Sequence, residues 1–275
     1  MNKTLKILVT GGSGMVGNQI NFGIKPKREE LDILDIKSIH NAVKKYKPDV
    51  ILHLAALTDM IKCEENPKLA YKINVTGTKN IAKICKERNI KFVYMSTCVV
   101  FSGKKNTPHT ESNKCNPINV YGKTKLEGEK VVEKILKDYL IIRTGWLFGG
   151  GKNDQKFIRT MYLKMEEGNE IKAINDRYGS PTYIPDLLNE INKLIEKNKN
   201  GIYHVVNKGS ISYFEVAKYI KSICKFKTKI INLKSKEIDN KKLKRSNNES
   251  LSSNKTKLRH WKSALKEYLY ILKNG

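Results

Sequence analysis

The sequence predicts an α/β fold with a doubly wound parallel sheet, and two features of its pattern predict it. The first is a set of short, continuously apolar runs, which are typical of strands buried on both faces of a parallel sheet. These runs occupy residues 6–9, 50–54, 92–95 and 139–143. The second is that helical patterns separate the runs, and alternation of strands with helices indicates a doubly wound sheet. A chain of 275 residues can bury one large core, or one core and a smaller lobe.

Three helices are expected between these runs. They extend from after Asp35 to about Tyr46, from Pro67 to about Lys86, and over roughly 119–136. The second is marked by an Asn66 cap followed by proline, which is favoured in the first helical position.

The pattern changes after about residue 150. Helices are expected near 155–166, after Pro185, after a Ser212 cap and over 258–272, with a further strand at 201–206. The segment 225–257 is polar, and it forms either a surface excursion or a loop over a substrate. We therefore expect residues 151–275 to form mainly a smaller lobe, with some segments returning to the domain of residues 1–150.

Charge and cysteine content argue against several classes of protein. The net charge is +26, but the lysines are spread along the chain, which favours a solvated surface over a nucleic-acid-binding patch. The sequence has no run of about 18 apolar residues, so no membrane span is expected, and the N-terminus lacks a signal-peptide pattern. The five cysteines are scattered without CxxC spacing, which argues against disulfides or a zinc site. A cytoplasmic location fits these features.

A glycine-rich turn follows the first strand. Glycines in this pattern provide a tight turn, close approach of backbone to a pyrophosphate, and close packing of a helix on a strand. The N–H groups of the helix that this turn is expected to open favour phosphates. We therefore predict that residues 1–150 form a dinucleotide-binding, Rossmann-like domain. The contacts predicted at the turn are Gly11, Ser13, Gly14, Met15, Val16 and Gly17.

The segment after this turn indicates which dinucleotide binds. Only residues 18–30 precede Leu31-Asp-Ile, so the first crossover looks shortened. No acidic residue stands where the ribose 2′-hydroxyl would be held, and Lys25, Lys27 and Arg28 cluster there instead. Because cations suit a 2′-phosphate, the sequence favours NADP(H), with NAD(H) as the alternative. The alternative is that these three residues are ordinary surface cations that bind no phosphate.

Tyr121 and Lys125 carry the sharpest chemical signal. They lie four residues apart at the start of a predicted helix, and hence on one face. The Lys125 ammonium is expected to lower the pKa of the Tyr121 phenol, so that the phenol can transfer a proton near neutral pH. Thr97 ends the third strand at the carboxyl edge of the sheet, where ligands bind in such folds. Its hydroxyl could hold a substrate carbonyl oxygen; otherwise it is a plain strand-end residue.

Together these motifs resemble the extended short-chain dehydrogenase/reductase superfamily and, within it, the dTDP-4-dehydrorhamnose reductase family over nearly the whole chain. The resembling segments are the glycine turn, 31–35, 48–56, 74–78, 96–97, 119–125, 143–146 and 179–182. Sugar epimerases and dehydratases share the first half of this pattern. Trp146 and the Gly-Ser-Pro-Thr segment at 179–182 favour the reductases.

The resemblance implies NADPH-dependent reduction of the 4-keto group of a nucleotide-linked 6-deoxy sugar, as in dTDP-rhamnose and polysaccharide biosynthesis. Tyr121 would donate the proton, Lys125 would hold the nicotinamide ribose, and Thr97 would orient the carbonyl. Trp146 would pack on the sugar and Arg245 would lie near the nucleotide. Further cofactor contacts implied by the resemblance are Asp32 and Ile33 at the adenine, and Leu54, Ala55, Ala56 and Thr58 along the ribose and diphosphate. A homodimer is left open.

The chain departs from the family pattern beside Thr97. Where the family reads Ser-Thr-Asp-Tyr-Val-Phe, this chain reads Ser-Thr-Cys98-Val99-Val-Phe. Two polar groups that would face the sugar are lost, which leaves open a different 4-keto sugar or a nucleotide other than dTDP. Cys98 is expected to be an unactivated thiol lining the pocket. His53 is expected to be a satisfied core histidine, and His109 a solvated one.

Three other functions stay open. One is a sugar-nucleotide epimerase or dehydratase with tightly bound NAD. Another is a non-catalytic NADP-binding regulatory subunit, since the regulatory beta subunit of methionine adenosyltransferase resembles the same family. The intact set of Thr97, Tyr121 and Lys125 argues against lost catalysis. A nucleic-acid-binding role is third. The sequence shows no cluster of metal ligands.

Overall fold

The computed structural model describes residues 5–151, 154–238 and 243–274. Its strands are β1 (Ile7–Thr10), β2 (Val50–His53), β3 (Lys91–Met95), β4 (Tyr139–Arg143), β5 (Leu147–Phe148), β6 (Ile171–Ile174), β7 (Tyr178–Gly179), β8 (Thr182–Tyr183), β9 (Gly201–His204), β10 (Ile211–Ser212) and β11 (Ile230–Leu233). Its α-helices are α1 (Ile36–Tyr46), α2 (Met60–Glu65), α3 (Pro67–Tyr71), α4 (Thr78–Arg88), α5 (Val120–Ile135), α6 (Phe157–Glu166), α7 (Ile184–Glu196), α8 (Tyr213–Cys224), α9 (Ser235–Ile238) and α10 (Trp261–Asn274). The strands and helices expected from the sequence are present with ends shifted by a few residues, except for the helix expected after the glycine turn.

The central sheet is parallel, in the order β1-β2-β3-β4-β9. On the other side of β1, Ile24 forms an isolated parallel bridge with Leu8. The chain therefore leaves β1 in one direction and returns to β2 on its opposite side. Such a switch point, at the carboxyl ends of the strands, is where ligands bind in open α/β sheets. The predicted doubly wound sheet is confirmed.

The first crossover is even shorter than the sequence indicated. The glycine turn leads only into a 3₁₀ turn over Gly17–Gln19, and the second strand is reduced to the Ile24 bridge. The prediction that the glycine turn opens a helix is therefore wrong beyond this single turn. Gly23 adopts a φ of +73° and lies against the Ile7 carbonyl, so the chain turns back along β1 before a helix can extend.

Helices cover both faces of the sheet. On one face α1, α4 and α5 pack through side chains such as Ile39, Ile81 and Val132. On the other face α7 packs through Ile184 and Ile191. Because the strands alternate their side chains between these two layers, they are apolar on both faces, and this explains their continuous apolar runs.

Residues after 150 contribute in two ways. α6, α8 and α10 pack together around Met161, Val216, Trp261 and Leu265 and form an apolar cluster of their own. β9 and α7, in contrast, belong to the central sheet and its covering layer. None of the helices in the described ranges is both long and apolar enough to cross a bilayer.

Candidate active site

A cavity of about 1230 Å³ lies along the carboxyl edge of the sheet. The loops after β1, β2, β3 and β4 line it, together with residues from far along the chain. All the site residues predicted from the sequence line this one cavity. They are Gly11, Ser13, Gly14, Met15, Val16, Gly17, Lys25, Lys27, Arg28, Asp32, Ile33, Leu54, Ala55, Ala56, Thr58, Thr97, Cys98, Val99, Tyr121, Lys125, Trp146 and Arg245. Segments more than 200 residues apart in sequence thus meet in a single space.

The glycine turn forms one end of the cavity. Gly11 has a φ of +72°, and a Cβ there would lie 2.7 Å from the backbone nitrogen of Ala55. A Cβ on Gly17 would lie 2.5 Å from the Gly11 carbonyl oxygen. At Gly14 the nearest atom would be the Gly11 oxygen, at 3.3 Å. The backbone is therefore packed tightly behind the turn and open on its cavity side, which fits the close approach of a pyrophosphate.

The three cations beside this turn are not equivalent. The Lys25 Nζ donates to the Ile20 carbonyl at 2.8 Å, and its side chain packs where a Cβ on Gly12 would stand. Lys25 is therefore tied to the turn. Lys27 and Arg28 are exposed at the mouth of the cavity, so they are the better-placed partners for a 2′-phosphate.

Helix α5 positions the Tyr121 and Lys125 pair. The Asn119 side chain caps the helix by accepting a hydrogen bond from the Gly122 N–H at 2.8 Å. This cap places Tyr121 in the first turn and Lys125 in the second, both lining the cavity. Thr97 lies just after β3 and also lines the cavity, and its hydroxyl accepts a hydrogen bond from the Val99 N–H at 3.2 Å.

The electrostatics of the pair differ from the prediction. Burial raises the pKa of Tyr121, and its hydrogen bond with Thr97 opposes this only in part. The Lys125 ammonium lies over the ring of Tyr94, 4.0 Å from its centroid, and burial lowers the pKa of Lys125 itself to about 7. The expectation of a lowered Tyr121 pKa is therefore wrong for this arrangement, because burial has the largest effect on the phenol and raises its pKa. The phenol holds its proton at neutral pH.

An ion pair behind the site fixes α5 to the sheet. Glu129, one turn after Lys125, accepts hydrogen bonds from Arg143 Nε at 3.0 Å and Nη2 at 2.6 Å. The hydroxyl of Ser96, next to Thr97, also donates to Glu129. Both charged side chains are almost fully buried. Ser96 belongs to the loop after β3, and Arg143 belongs to β4. This network therefore fixes the position of Lys125 on α5 relative to Thr97.

Trp146 forms the opposite end of the cavity and is held on several sides. Its ring stacks on Tyr213 with centroids 4.0 Å apart, and Phe157 packs edge-on at 5.4 Å. Its φ of +47° is strained for a residue with a side chain. A Cβ on Gly179 would overlap the indole ring, so only glycine fits beneath it.

A charged pair that sequence reasoning identified only in part lies beside Trp146. Trp146 Nε1 donates to Glu249 Oε2 at 2.7 Å, and Arg245 Nη2 lies 3.5 Å from Glu249 Oε1. Arg245 also donates to the Tyr213 hydroxyl at 3.2 Å. The resemblance indicated Arg245, whereas Phe157, Tyr213 and Glu249 were missed. These residues come from distant segments, and no local spacing marks them.

Cys98 and Val99 lie between the two ends of the cavity. Cys98 is 3% exposed and lies against Gly145, and burial raises the pKa of its thiol. It is thus an unactivated thiol lining the cavity, as predicted.

The two histidines had different outcomes. His53 is buried and hydrogen-bonds with the hydroxyls of Thr10 at 2.7 Å and Thr78 at 3.2 Å, which confirms a satisfied core histidine. Burial lowers its pKa to about 3. The prediction that His109 is solvated is wrong: it is 5% exposed and stacks on Phe101 at 4.3 Å.

His109 is covered by Ser250 and Ser252, which belong to the polar segment 225–257 of the sequence analysis. His109 N–H donates to the Ser250 carbonyl, and Ser252 N–H donates to the His109 carbonyl, each at 2.9 Å. Residues 245–252 therefore pack on the domain and bring Arg245 and Glu249 into the cavity wall. Within residues 5–151, 154–238 and 243–274, no group of three or more His, Cys, Asp or Glu side chains is placed to hold a metal ion.

Comparison with protein families and characterised proteins identifies the relatives of this chain. The model of the RmlD substrate-binding domain family matches residues 5–274. A spore coat polysaccharide biosynthesis protein of Bacillus subtilis is 35% identical over 224 residues, covering 78% of each chain. A dTDP-4-dehydrorhamnose reductase of Salmonella typhimurium is 35% identical over 210 residues, covering 74% of this chain and 70% of that protein.

Solved structures give the same picture at the level of the fold. A dTDP-4-dehydrorhamnose reductase from Bacillus anthracis, in complex with NADP, superposes with a TM-score of 0.92 at 32% identity, covering 98% of this chain and 100% of that one. A UDP-glucose 4-epimerase from Thermotoga maritima reaches a TM-score of 0.83 at only 17% identity, covering 98% and 99% of the two chains. The epimerase likeness extends to the fold alone.

Proposed function

The chain belongs to the dTDP-4-dehydrorhamnose reductase family, and on that premise we propose that it reduces the 4-keto group of a nucleotide-linked 6-deoxy sugar with NADPH. The family predicted from the sequence is confirmed, and the chain is an oxidoreductase. One observation carries the proposal: the glycine turn, the Thr97, Tyr121 and Lys125 set, and Trp146 all line one cavity.

The two ends of the cavity divide the binding. We assign the dinucleotide to residues 1–150, with the turn at 11–17 along the diphosphate and Lys27 and Arg28 at the 2′-phosphate. The relative from Bacillus anthracis that was solved with NADP supports this choice of cofactor. Bound NADPH supplies the hydride. We assign the sugar mainly to the lobe of residues 151–275, together with Trp146.

Tyr121 is the proton donor in this proposal. Burial keeps its pKa above the ordinary value, so the phenol is protonated at neutral pH, as a general acid must be. The phenol gives its proton to the C4 oxygen of the sugar, and the Thr97 hydroxyl orients that oxygen by donating a hydrogen bond to it. Lys125 holds the nicotinamide ribose.

The relatives support a dTDP-linked substrate. A dTDP-4-keto-6-deoxy-D-glucose reductase of Streptomyces niveus is 33% identical over 221 residues, covering 77% of this chain and 76% of that protein. We propose the same class of substrate for this chain, in the synthesis of a polysaccharide. Assembly as a homodimer stays a prediction.

The test measures oxidation of NADPH against dTDP- and UDP-linked 4-keto-6-deoxy sugars, with identification of the product. In Tyr121→Phe, turnover should fall by about 10²- to 10⁴-fold while NADPH affinity is retained, because only the proton donor is removed. Tyr71→Phe, at an exposed tyrosine outside the cavity, is the matched control.

Three results would contradict the proposal. Wild-type turnover in Tyr121→Phe would exclude the proton-donor role. Tightly retained NAD without NADPH oxidation would favour an epimerase or dehydratase. NADPH binding without turnover of any sugar would favour a regulatory subunit.

A further inference from the structure

Glu249 is the one carboxylate at the sugar end of the cavity among the described residues that line it. The other two, Glu29 and Asp32, lie beside the glycine turn at the cofactor end. Glu249 is only 4% exposed, so its carboxylate is withdrawn from bulk water. A buried carboxylate requires partners, and those of Glu249 indicate its role.

The partners found in the protein use part of the carboxylate's capacity. Oε2 accepts the Trp146 Nε1–H at 2.7 Å, and Oε1 lies 3.5 Å from Arg245 Nη2. A carboxylate accepts about four hydrogen bonds. Acceptor positions therefore remain on a side chain that lines the cavity. Resting on the proposed function, we propose that Glu249 determines sugar specificity by accepting a hydrogen bond from a hydroxyl group on the pyranose ring.

Charge balance favours a neutral donor over a cationic one. Arg245 already supplies a cation to Glu249, and the ion pair as a whole is neutral. An amino sugar would bring a second cation to a carboxylate that is already paired. A hydroxyl completes the hydrogen bonding without adding charge. The same pairing shields the substrate diphosphate from a bare negative charge.

The surrounding wall makes this acceptor decisive. Phe157 and Tyr213 present aromatic surface, and Cys98 and Val99 present weakly polar or apolar surface. Cys98 and Glu249 both line this cavity. A hydrogen bond in such a low-dielectric setting is strong, and Glu249 is the one carboxylate among the described residues that line this end of the cavity. A site built to bind a hydroxyl rejects the analogue that lacks it.

A purely structural role has to be separated from this one, because Glu249 also holds Trp146. Glu249→Gln keeps an oxygen that can accept from the indole N–H but removes the charge. Trp146→Phe keeps an aromatic ring but removes the N–H. If Glu249 acted only through Trp146, Trp146→Phe would reproduce its whole effect.

The experiment measures kcat and KM for NADPH oxidation with a 4-keto-6-deoxy sugar and with its 2-deoxy and 3-deoxy analogues. The wild type should prefer the fully hydroxylated substrate over one analogue by about 10- to 100-fold in kcat/KM, the range of a lost hydrogen bond to a charged group. In Glu249→Gln that preference should fall by about fivefold, because a neutral amide oxygen is a weaker acceptor than a carboxylate. Glu111→Gln, at a carboxylate that is hydrogen-bonded but outside the cavity, should keep it.

Equal losses in Glu249→Gln for all three sugars, matched by Trp146→Phe, would overturn the inference. Should Glu249→Gln fail to fold, Glu249→Asp carries the same test, since it withdraws the charge by one methylene. Calorimetric titration with the corresponding nucleotide-linked alcohol sugars and their deoxy analogues needs no turnover. Absence of NADPH oxidation contradicts the proposed function, whereas equal affinity for hydroxyl and deoxy ligands contradicts the role of Glu249.

Discussion

The two ends of the cavity are built in different ways. At the cofactor end the surface is largely backbone, held by glycines within the seven residues 11–17 and by the facing loop at Ala55. At the sugar end the surface is a cage of side chains that includes Trp146, Tyr213 and Glu249. A backbone surface requires particular residues in sequence. A side-chain cage requires contacts across the fold, so its members can lie 100 residues apart.

This difference leads to different consequences of substitution. A change at the cofactor end has to move backbone, and backbone behind the turn is already in contact. A change at the sugar end moves a ring, which can rotate at lower cost. We therefore expect large effects on NADPH affinity at the first end and moderate effects on sugar KM at the second.

Gly17→Ala should give the largest effect on binding. A Cβ at this position would lie 2.5 Å from the Gly11 oxygen and 2.6 Å from the Gly12 oxygen, both backbone atoms. Relieving such contacts costs up to about 3 kcal/mol, so the dissociation constant for NADPH should rise by about 100-fold. Fluorescence titration measures it.

Gly168→Ala is the matched control for that substitution. Gly168 has a φ of +79°, but nothing lies within 4 Å of an added Cβ. It should lower the free energy of unfolding by about 1 kcal/mol and leave NADPH affinity unchanged. If both variants weakened NADPH binding equally, the tight packing behind the glycine turn would not be the cause.

Gly179→Ala should have a smaller effect, at the other end. Its Cβ would overlap the indole of Trp146, which would have to swing away from Tyr213 and Glu249. We expect the KM for the sugar to rise by about tenfold, at unchanged NADPH affinity, because losing one buried hydrogen bond costs about 1.5 kcal/mol. Steady-state kinetics with each substrate varied separates the two.

A control for this variant exists at the second tryptophan. A Cβ on Gly209 would lie 2.6 Å from Trp261, which is buried away from the cavity. Gly209→Ala should therefore lower the melting temperature without changing the KM for the sugar. An unchanged KM in Gly179→Ala would show that the sugar does not depend on the position of Trp146.

The fold and the cofactor end could be predicted from the sequence for the same reason. Continuous apolar runs, helix caps such as Asn66 and Ser212, and the glycine turn are all local patterns, and each is present in the structure. Tyr121 and Lys125 were found because helical spacing places residues four apart on one face. A local prediction that was wrong is the helix after the glycine turn, because Gly23 turns the chain back before a helix can extend.

The sugar end and the protonation of Tyr121 could be predicted only in part. No local pattern in the sequence marks Tyr213, and Glu249 lies in a polar segment for which a surface excursion and a loop over a substrate were both open. Only packing against Trp146 makes them part of a site. The raised pKa of Tyr121 likewise depends on burial, which spacing alone does not reveal. Long-range contacts determine which residues form the sugar end, and desolvation determines the pKa of Tyr121.

The smallest effect is expected from the exposed cations at the cofactor end, where side chains rather than backbone contribute. Lys27 and Arg28 are exposed at the cavity mouth, so water screens their charge. Each contact with a 2′-phosphate should contribute at most about 1 kcal/mol. In Lys27→Ala and Arg28→Ala, the preference for NADPH over NADH should therefore fall by up to about fivefold each.

Salt dependence sharpens this last prediction. Added salt should weaken NADPH binding in the wild type and have less effect in the double variant, while NADH binding should respond similarly in both. Lys37→Ala and Lys44→Ala, at exposed lysines of α1 outside the cavity, serve as controls. If they reduced the preference as much, the overall positive field of the chain, rather than these two cations, would be what distinguishes the two dinucleotides, since a diffuse field acts without a defined contact.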